Sequence, residues 1–449
     1  RVSLGAYPFQ RKDYPLESSH QDKQKPWGIY SFGWEAGTNR AGVARADPRI
    51  SLSSGEPSRL ATLLKNSFTC VASADLYDTW VWIGTEAQAF VKEAQERMKL
   101  HPGVSKRCVV CIPRNNLDAV PVRLAAQVLA QEHPEWRCEV VAFNPLQHIE
   151  IQNVAAQVAV DTWPAPERVS TRQGWLRPLW NRVSESPSAS VPIDSGVWIV
   201  AGGTGIVGSL VTDELRNRLP QSTILPLSKS GGFDFETRDG WEKAFIEAEK
   251  SNLPIRGIVL AAGRIERRSF KAVSEWRSAN EWVHLTQKRK MAQAMNDALA
   301  SRTLDQVWVI GSVSSQFGGV GFADYAGAHA WLADYSLARG WRVLDWDGDA
   351  SHEGARAAIG TLLTNLNRSR ILFCDEQKMS FQDRWRRSWG RGNVPSTPQA
   401  QSQGVPTTLD ERILFWAREL SGISTLELES SFFEAGGNSL AAAQLVARI

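Results

Sequence analysis

The chain has 449 residues, with 51 lysines and arginines against 48 aspartates and glutamates and a formal net charge of +3. That length is too great for one hydrophobic core and implies two or three domains, while the near-neutral balance gives no electrostatic reason to expect nucleic acid or a membrane as partner, neither being favoured without a concentrated basic face. No run approaches the roughly 20 apolar residues of a spanning helix and no signal-peptide pattern opens the chain, so the cytoplasm is the expected compartment.

Residues 1–26 are polar, mix charges with prolines and show little periodicity, the pattern of an extended linker. Over residues 27–185 the apolar strand candidates SFTCVAS, TWVWIG, RCVVCI and EVVAF alternate with the helical stretches AQAFVKEAQERMKL and VPVRLAAQVLAQEH. Such alternation predicts a mainly parallel sheet covered by helices. The five cysteines are odd in number and scattered, which argues against a disulfide framework. Cys108 and Cys111 form CxxC inside a strand-like run, where their odd separation sends them to opposite faces; with no second pair nearby, no metal site is expected.

The serine- and proline-rich SESPSASVPIDSG, residues 184–196, reads as a boundary. A second α/β series over 190–388 runs through VWIVAGG, ILPL, GIVLAAG, VWVIGSV and ILFCD. The fold class is therefore α/β, with two Rossmann-like doubly wound subdomains, of which only the second carries a phosphate-binding turn. Residues 389–408 have the composition of a flexible tether. In 409–449, DERILFWAREL reads as an amphipathic helix, and SSFFEAGGNSLAAAQLVARI as a loop before another helix.

VWIVAGGTGIVGSLVTDEL sets Gly203-x-Gly205-x-x-Gly208 between a strand and a helix. There, glycines let the backbone approach a pyrophosphate, and the N–H groups of Thr204, Gly205 and Ile206 lie where a helix N-terminus favours anions. After the next strand, LSKSGG offers Lys229 with Ser228 and Ser230, a cation and hydroxyls suited to the 2′-phosphate of NADP. Ser312, after a strand, lies thirteen residues before Tyr325 at the start of a helix, a spacing that brings both to the carboxyl ends of the strands. A phenol titrates near pH 10 unaided and needs a neighbouring cation to exchange protons near neutrality; Lys288, twenty-four residues before Ser312, is the candidate. Ser314 and Ser315 read as loop residues.

Together, Gly203 to Gly208, Ala261, Ala262 and Gly263 of LAAG, Lys288, Ser312 and Tyr325 resemble the ketoreductase domain of a modular polyketide synthase, within the short-chain dehydrogenase/reductase superfamily. RLAAQVLAQEHPEW and GWLRPLW resemble that domain's cofactor-free structural subdomain, and YPFQRKDY resembles its post-acyltransferase linker. FFEAGGNSL resembles the phosphopantetheine attachment site of a carrier domain, with Ser439 as the modified serine and 409–449 as the domain's N-terminal part. The GGNSL spelling is nearer to peptidyl carriers and hints at a hybrid system. The resemblance implies NADPH-dependent reduction of a carrier-bound 3-oxoacyl thioester to the 3-hydroxyacyl thioester. It implies as partners the ketosynthase, acyltransferase and carrier domains of one synthase and a phosphopantetheinyl transferase.

The sequence departs from the family in four places. His329 stands where the family has asparagine, and a charged imidazole there would repel Lys288. Only about 25 residues separate LSKSGG from GIVLAAG, roughly half the usual span, so part of the nucleotide-binding half is expected to be missing, with Asp234 near the adenine side. The segment after Trp346 is shorter than the family's substrate lid. RIERR replaces one stereochemical marker and Phe317 stands at the tryptophan position of the other, a lean towards the L-configured alcohol. Two alternatives follow from the departures: a reductase-incompetent domain kept as scaffold or epimerase, or an α-keto acyl reductase within a peptide synthetase.

Overall fold

In a computed structural model of the chain, the described residues are 27–36, 49–375 apart from short stretches (55–57, 74, 76, 102–105, 134, 160–166, 184–194, 266–269, 278–280, 348–351 and 365–367), 379, 409–421 and 427–428. The expected N-terminal linker, the tether and Ser439 lie outside them. The first unit comprises β1 (Trp27–Ala36), β2 (Arg49–Ser54), α1 (Arg59–Ser67), β3 (Thr69–Cys70), β4 (Thr79–Ile83), α2 (Ala87–Leu100), β5 (Lys106–Pro113), α3 (Val120–Glu132), β6 (Trp136–Phe143), α4 (His148–Val158), β7 (Glu167–Thr171) and β8 (Gly174–Arg182). The second comprises β9 (Val197–Ala201), α5 (Ile206–Arg218), β10 (Thr223–Leu227), α6 (Arg238–Glu249), β11 (Ile255–Leu260), α7 (Val283–Leu299), β12 (Gln306–Ser312), α8 (Ser314–Phe317), α9 (Ala323–Leu337), β13 (Arg342–Trp346), α10 (His352–Thr364) and β14 (Arg370–Asp375). A further helix, α11 (Leu409–Ser421), covers the amphipathic stretch read from the sequence.

The two units do not form separate sheets. Their strands make one sheet in the order β10-β9-β11-β12-β13-β14-β1-β8-β7-β6-β5-β4-β2-β3. β1 is the stitch: it runs antiparallel to β14 on one side and to β8 on the other, so the first strand described closes the gap between the two parallel halves. One hydrophobic core, shared by both units on one face of the sheet, contains Val122, Leu124 and Leu129 of α3 together with Ala326, Ala328 and Leu332 of α9. Cys108 and Cys111 fall in cores on opposite faces, as the strand period requires.

The shortened nucleotide-binding half has a visible consequence. β10 leads through α6 to β11, on the far side of β9, and among the described residues no strand pairs outside β10. The usual doubly wound order would place a third strand there. β10 is thus an edge and carries Pro226, which an edge strand tolerates because it leaves an outward ladder position unneeded. The crevice lies where the chain turns from β9 to β10 in one direction and to β11 in the other, at the carboxyl ends of the strands.

Candidate active site

A cavity of about 540 Å³ runs from the β9–α5 turn to Tyr325 and His329. At its first end the turn after β9 is tight for a defined reason. A Cβ on Gly208 would stand 2.0 Å from the Gly202 carbonyl oxygen, so helix α5 can approach the turn only with glycine there. Gly205 caps α5 without a side-chain bond, leaving backbone N–H groups at the helix start as the available donors. Thr204, Gly205 and Ile206 line the cavity at this point.

Beyond β10, Ser228 and Lys229 also line the cavity, but Lys229 is engaged by two carboxylates. Its Nζ lies 3.1 Å from Asp234 Oδ2 and 3.9 Å from Glu236 Oε1. The lysine holds the Asp234 carboxyl below the usual range. A phosphate approaching Lys229 would therefore compete with two carboxylates. Glu236 also accepts a hydrogen bond from Gln287 Nε2 (3.3 Å), and Gln287 Oε1 accepts from the Arg264 N–H (3.1 Å), tying this loop to α7.

The four expected polar residues converge at the far end. Lys288 projects from α7 beneath Ala262 and Gly263, its Nζ donating to the Ala262 carbonyl at 2.9 Å. Burial pushes its pKa down to about 8. A Cβ on Gly263 would sit 2.7 Å from that Nζ, so the glycine makes room for the amine. Tyr325 lies on the first turn of α9; burial raises its phenol, and a hydrogen bond with Ser312 at the end of β12 acts the other way. Ser312 Oγ in turn accepts from the Ser314 N–H at 3.3 Å. His329, one turn after Tyr325, stacks its ring obliquely on the phenol with centroids 4.5 Å apart.

The electrostatics of His329 answer the worry its sequence position raised. Burial first, then Lys288 and His284, hold its imidazole well below the ordinary value, so it is neutral at physiological pH and does not repel the lysine. Its Nδ1 is buried without a hydrogen-bond partner among the described residues. A neutral imidazole has one acceptor nitrogen, the same capacity that an asparagine carbonyl would bring to this place.

Two expectations change. Phe317 does not line the cavity; it is buried with Tyr30, Leu372, Cys374 and Met379, so no aromatic wall stands at the position that supported the stereochemical lean. Ser315 is not a loop residue but a buried group in α8 that donates to Asp345 Oδ1 (3.1 Å) and accepts from Arg370 (3.0 Å), bracing β12 against β13 and β14. Sequence reasoning also missed His284 and Asp324, a buried pair beside Tyr325. The available signal was positional: His284 lies one helical turn before Lys288, and Asp324 immediately before Tyr325. The short lid segment falls partly outside the described residues. Among those described, no cluster of His, Cys, Asp or Glu could hold a metal ion, and no helix is long and apolar enough to cross a membrane.

The strand order, the glycine turn and the cleft define the class of the fold: a Rossmann-type doubly wound sheet with a second α/β unit built onto it. Within that class, residues 229–345 match the family model of the KR domain. The chain is 28% identical over 187 residues to the polyketide synthase ThaG of Burkholderia thailandensis, a match covering 36% of this chain and 3% of that protein. Its fold is shared with solved ketoreductases. PlmKR1, the ketoreductase from the first module of phoslactomycin biosynthesis in Streptomyces sp. HK803, superposes with a TM-score of 0.60 at 16% identity, over 78% of this chain and 94% of that one. An A1-type ketoreductase gives 0.63 at 14% identity over 79% and 94%. A keto acid-selecting NRPS module with adenylation, ketoreductase and pseudo Asub domains gives 0.57 at 13% identity over 78% and 39%.

Proposed function

We propose that this chain is an NADPH-dependent ketoreductase of a multidomain polyketide synthase. In this reading it reduces a 3-oxoacyl thioester, held on a carrier's phosphopantetheine arm, to the 3-hydroxyacyl thioester. One observation carries the reading: Tyr325, Lys288 and His329 line one end of a cleft whose other end is a glycine turn opening a helix, and Ser312 is hydrogen-bonded to Tyr325 there. The residues present fit the dinucleotide, since Gly208 lets α5 close onto the β9 turn and the cavity runs from that turn to the buried Lys288 amine. The N–H groups at the start of α5 would hold the pyrophosphate, Ser228 and Lys229 the 2′-phosphate, and Ala261, Ala262 and Gly263 the nicotinamide side.

NADPH, when bound, supplies the hydride. The chain's own groups do the remaining work. The Ser312 hydroxyl donates to the substrate carbonyl oxygen as negative charge develops, and Tyr325 delivers its phenolic proton to that oxygen. Raised by burial, the phenol is protonated before the reaction; the Lys288 ammonium, still cationic near neutrality, favours the phenolate left behind. His329, neutral and with a buried ring nitrogen that no hydrogen bond occupies among the described residues, orients the group that reprotonates the tyrosine. Phosphopantetheine on Ser439 would tether substrate to the site, and tethering raises effective concentration to roughly millimolar.

The test is NADPH absorbance with a 3-oxoacyl cysteamine thioester. Consumption is expected; a folded protein that binds NADPH and consumes none overturns the reading. The scaffold or epimerase alternative is favoured by the missing strand outside β10 and by the carboxylates already on Lys229. It predicts α-carbon deuterium exchange, or no chemistry, without NADPH oxidation. Mass spectrometry of a polypeptide containing the complete carrier, after treatment with a phosphopantetheinyl transferase and coenzyme A, tests Ser439.

A further inference from the structure

Helix α7, which carries Lys288, begins without a local cap: Trp282 at its N-cap makes no side-chain bond. The first N–H groups of a helix have no partner within it and must find one elsewhere. Here the partner comes from another helix. Asp324 Oδ2 accepts from the backbone N–H of His284 at 2.8 Å, and Oδ1 accepts from that of Leu285 at 3.0 Å. The same Oδ2 lies 2.8 Å from His284 Nδ1. An ionised carboxylate only accepts, so Nδ1 carries the proton and donates it. Both residues are buried, at 3% and 1% exposure, so water does not compete for these bonds. The His284 ring stands edge-on to the Tyr325 ring, centroids 5.3 Å apart and planes at 89°.

We infer that Asp324 and His284 form a pin that sets the distance between Lys288 and Tyr325. Asp324 adjoins Tyr325 in the first turn of α9, and His284 is one turn before Lys288 in α7. Three hydrogen bonds between these two turns fix the two helix starts against each other, and with them the amine and the phenol. The pair is a positioning device; it transfers no proton to substrate. This inference rests on the reductase reading for its consequence but not for its geometry. The chemistry at the far end of the cleft tolerates little error, because a misplacement of about 1 Å costs roughly 100-fold in rate.

Three variants and one spectrum test it. His284→Ala removes one of the three bonds, the two from backbone N–H groups remaining, and should lower turnover about 10-fold while leaving NADPH affinity, read by fluorescence, unchanged. His284→Asn puts an amide N–H where Nδ1–H was and should restore most of the turnover. In ¹⁵N-histidine-labelled full-length protein, a protected downfield Nδ1–H resonance from His284 should appear in the wild type and vanish in Asp324→Asn. Full turnover in His284→Ala overturns the pin, as does equal loss in the alanine and asparagine variants, which would make the imidazole itself an acid–base group. Loss of NADPH binding in step with turnover also overturns it. A wild type that shows no turnover counts against the reductase reading alone, and the resonance then decides the pin; an Nδ1–H signal absent from the wild type, or unchanged in Asp324→Asn, overturns it.

Discussion

Gly263→Ala is the perturbation whose effect can be followed furthest from the coordinates. The new methyl would stand 2.7 Å from Lys288 Nζ and 3.5 Å from its Cε, with no other heavy atom among its near neighbours. Ordinary contact begins near 3.4 Å, so the amine must retreat by about 0.7 Å (3.4 less 2.7). The obstructing atom is the end of a flexible side chain and Gly263 has no positive φ, so the fold can absorb the change. The cost falls on the site: the amine leaves its bond to the Ala262 carbonyl, now 2.9 Å long, and moves relative to Tyr325. Scaled from the roughly 100-fold penalty of a 1 Å misplacement, turnover should fall about 10- to 100-fold. Steady-state NADPH oxidation against a 3-oxoacyl thioester, beside a thermal melt, separates the two effects. Unchanged turnover with an unchanged melt would refute the role given to Lys288; a collapsed melt would refute the claim that the clash is local.

His329→Asn should keep or raise turnover, because asparagine supplies the same acceptor; loss of activity would make the imidazole a catalyst in its own right. The same variant tests the charge state through stability. The folded pKa of His329 lies below its ordinary 6.5, so between the two values the unfolded chain binds more protons, and stability present above pH 6.5 is lost as pH falls; this loss should be smaller in the asparagine variant, measured by denaturant titration at pH 7.5 and 5.5. Asp234→Asn removes a competitor for Lys229 and should tighten NADPH binding by about 0.5 kcal/mol, the scale of an exposed ion pair, with no gain for NADH in parallel fluorescence titrations. Gln131→Ala removes two buried bonds from α3 to the active-site loop, to Phe317 O and from Gly319 N–H, and should destabilise the protein by about 2 kcal/mol in urea unfolding. No loss there would show that these two bonds do not hold the loop against α3.

Much of this molecule is written locally, and some of it is not. The glycine turn, the strand–helix alternation and the Ser312–Tyr325–Lys288 spacing are short-range patterns, and the folded chain brings Tyr325 and Lys288 to one cleft with Ser312 hydrogen-bonded to the phenol. The short span before GIVLAAG holds α6 and, among the described residues, no strand between β10 and β11. Pairing across long separations left no such trace. Nothing in WGIYSFGWEA says that β1 will close between β14 and β8, since strand pairing has no sequence period, and two expected sheets became one. SFTCVAS shrank to the two residues of β3 because it falls at the sheet's outer edge, where few neighbours support it. The carboxylates on Lys229 lie only a few residues away, yet turn geometry rather than spacing aims them at it. The His284–Asp324 pair spans forty residues and two helices, so only the packing of α7 on α9 reveals it.

The central claim is that Tyr325 is the proton donor of a reductase. Tyr325→Phe keeps the ring against His284, Phe322 and His329 and removes only the hydroxyl. Its turnover with NADPH and a 3-oxoacyl thioester, measured beside the wild type with NADPH affinity checked by fluorescence, is the most direct test. Cofactor binding retained with turnover reduced by at least about 100-fold, the lower range for a lost general acid, is the expected result. Wild-type turnover in the phenylalanine variant would contradict it.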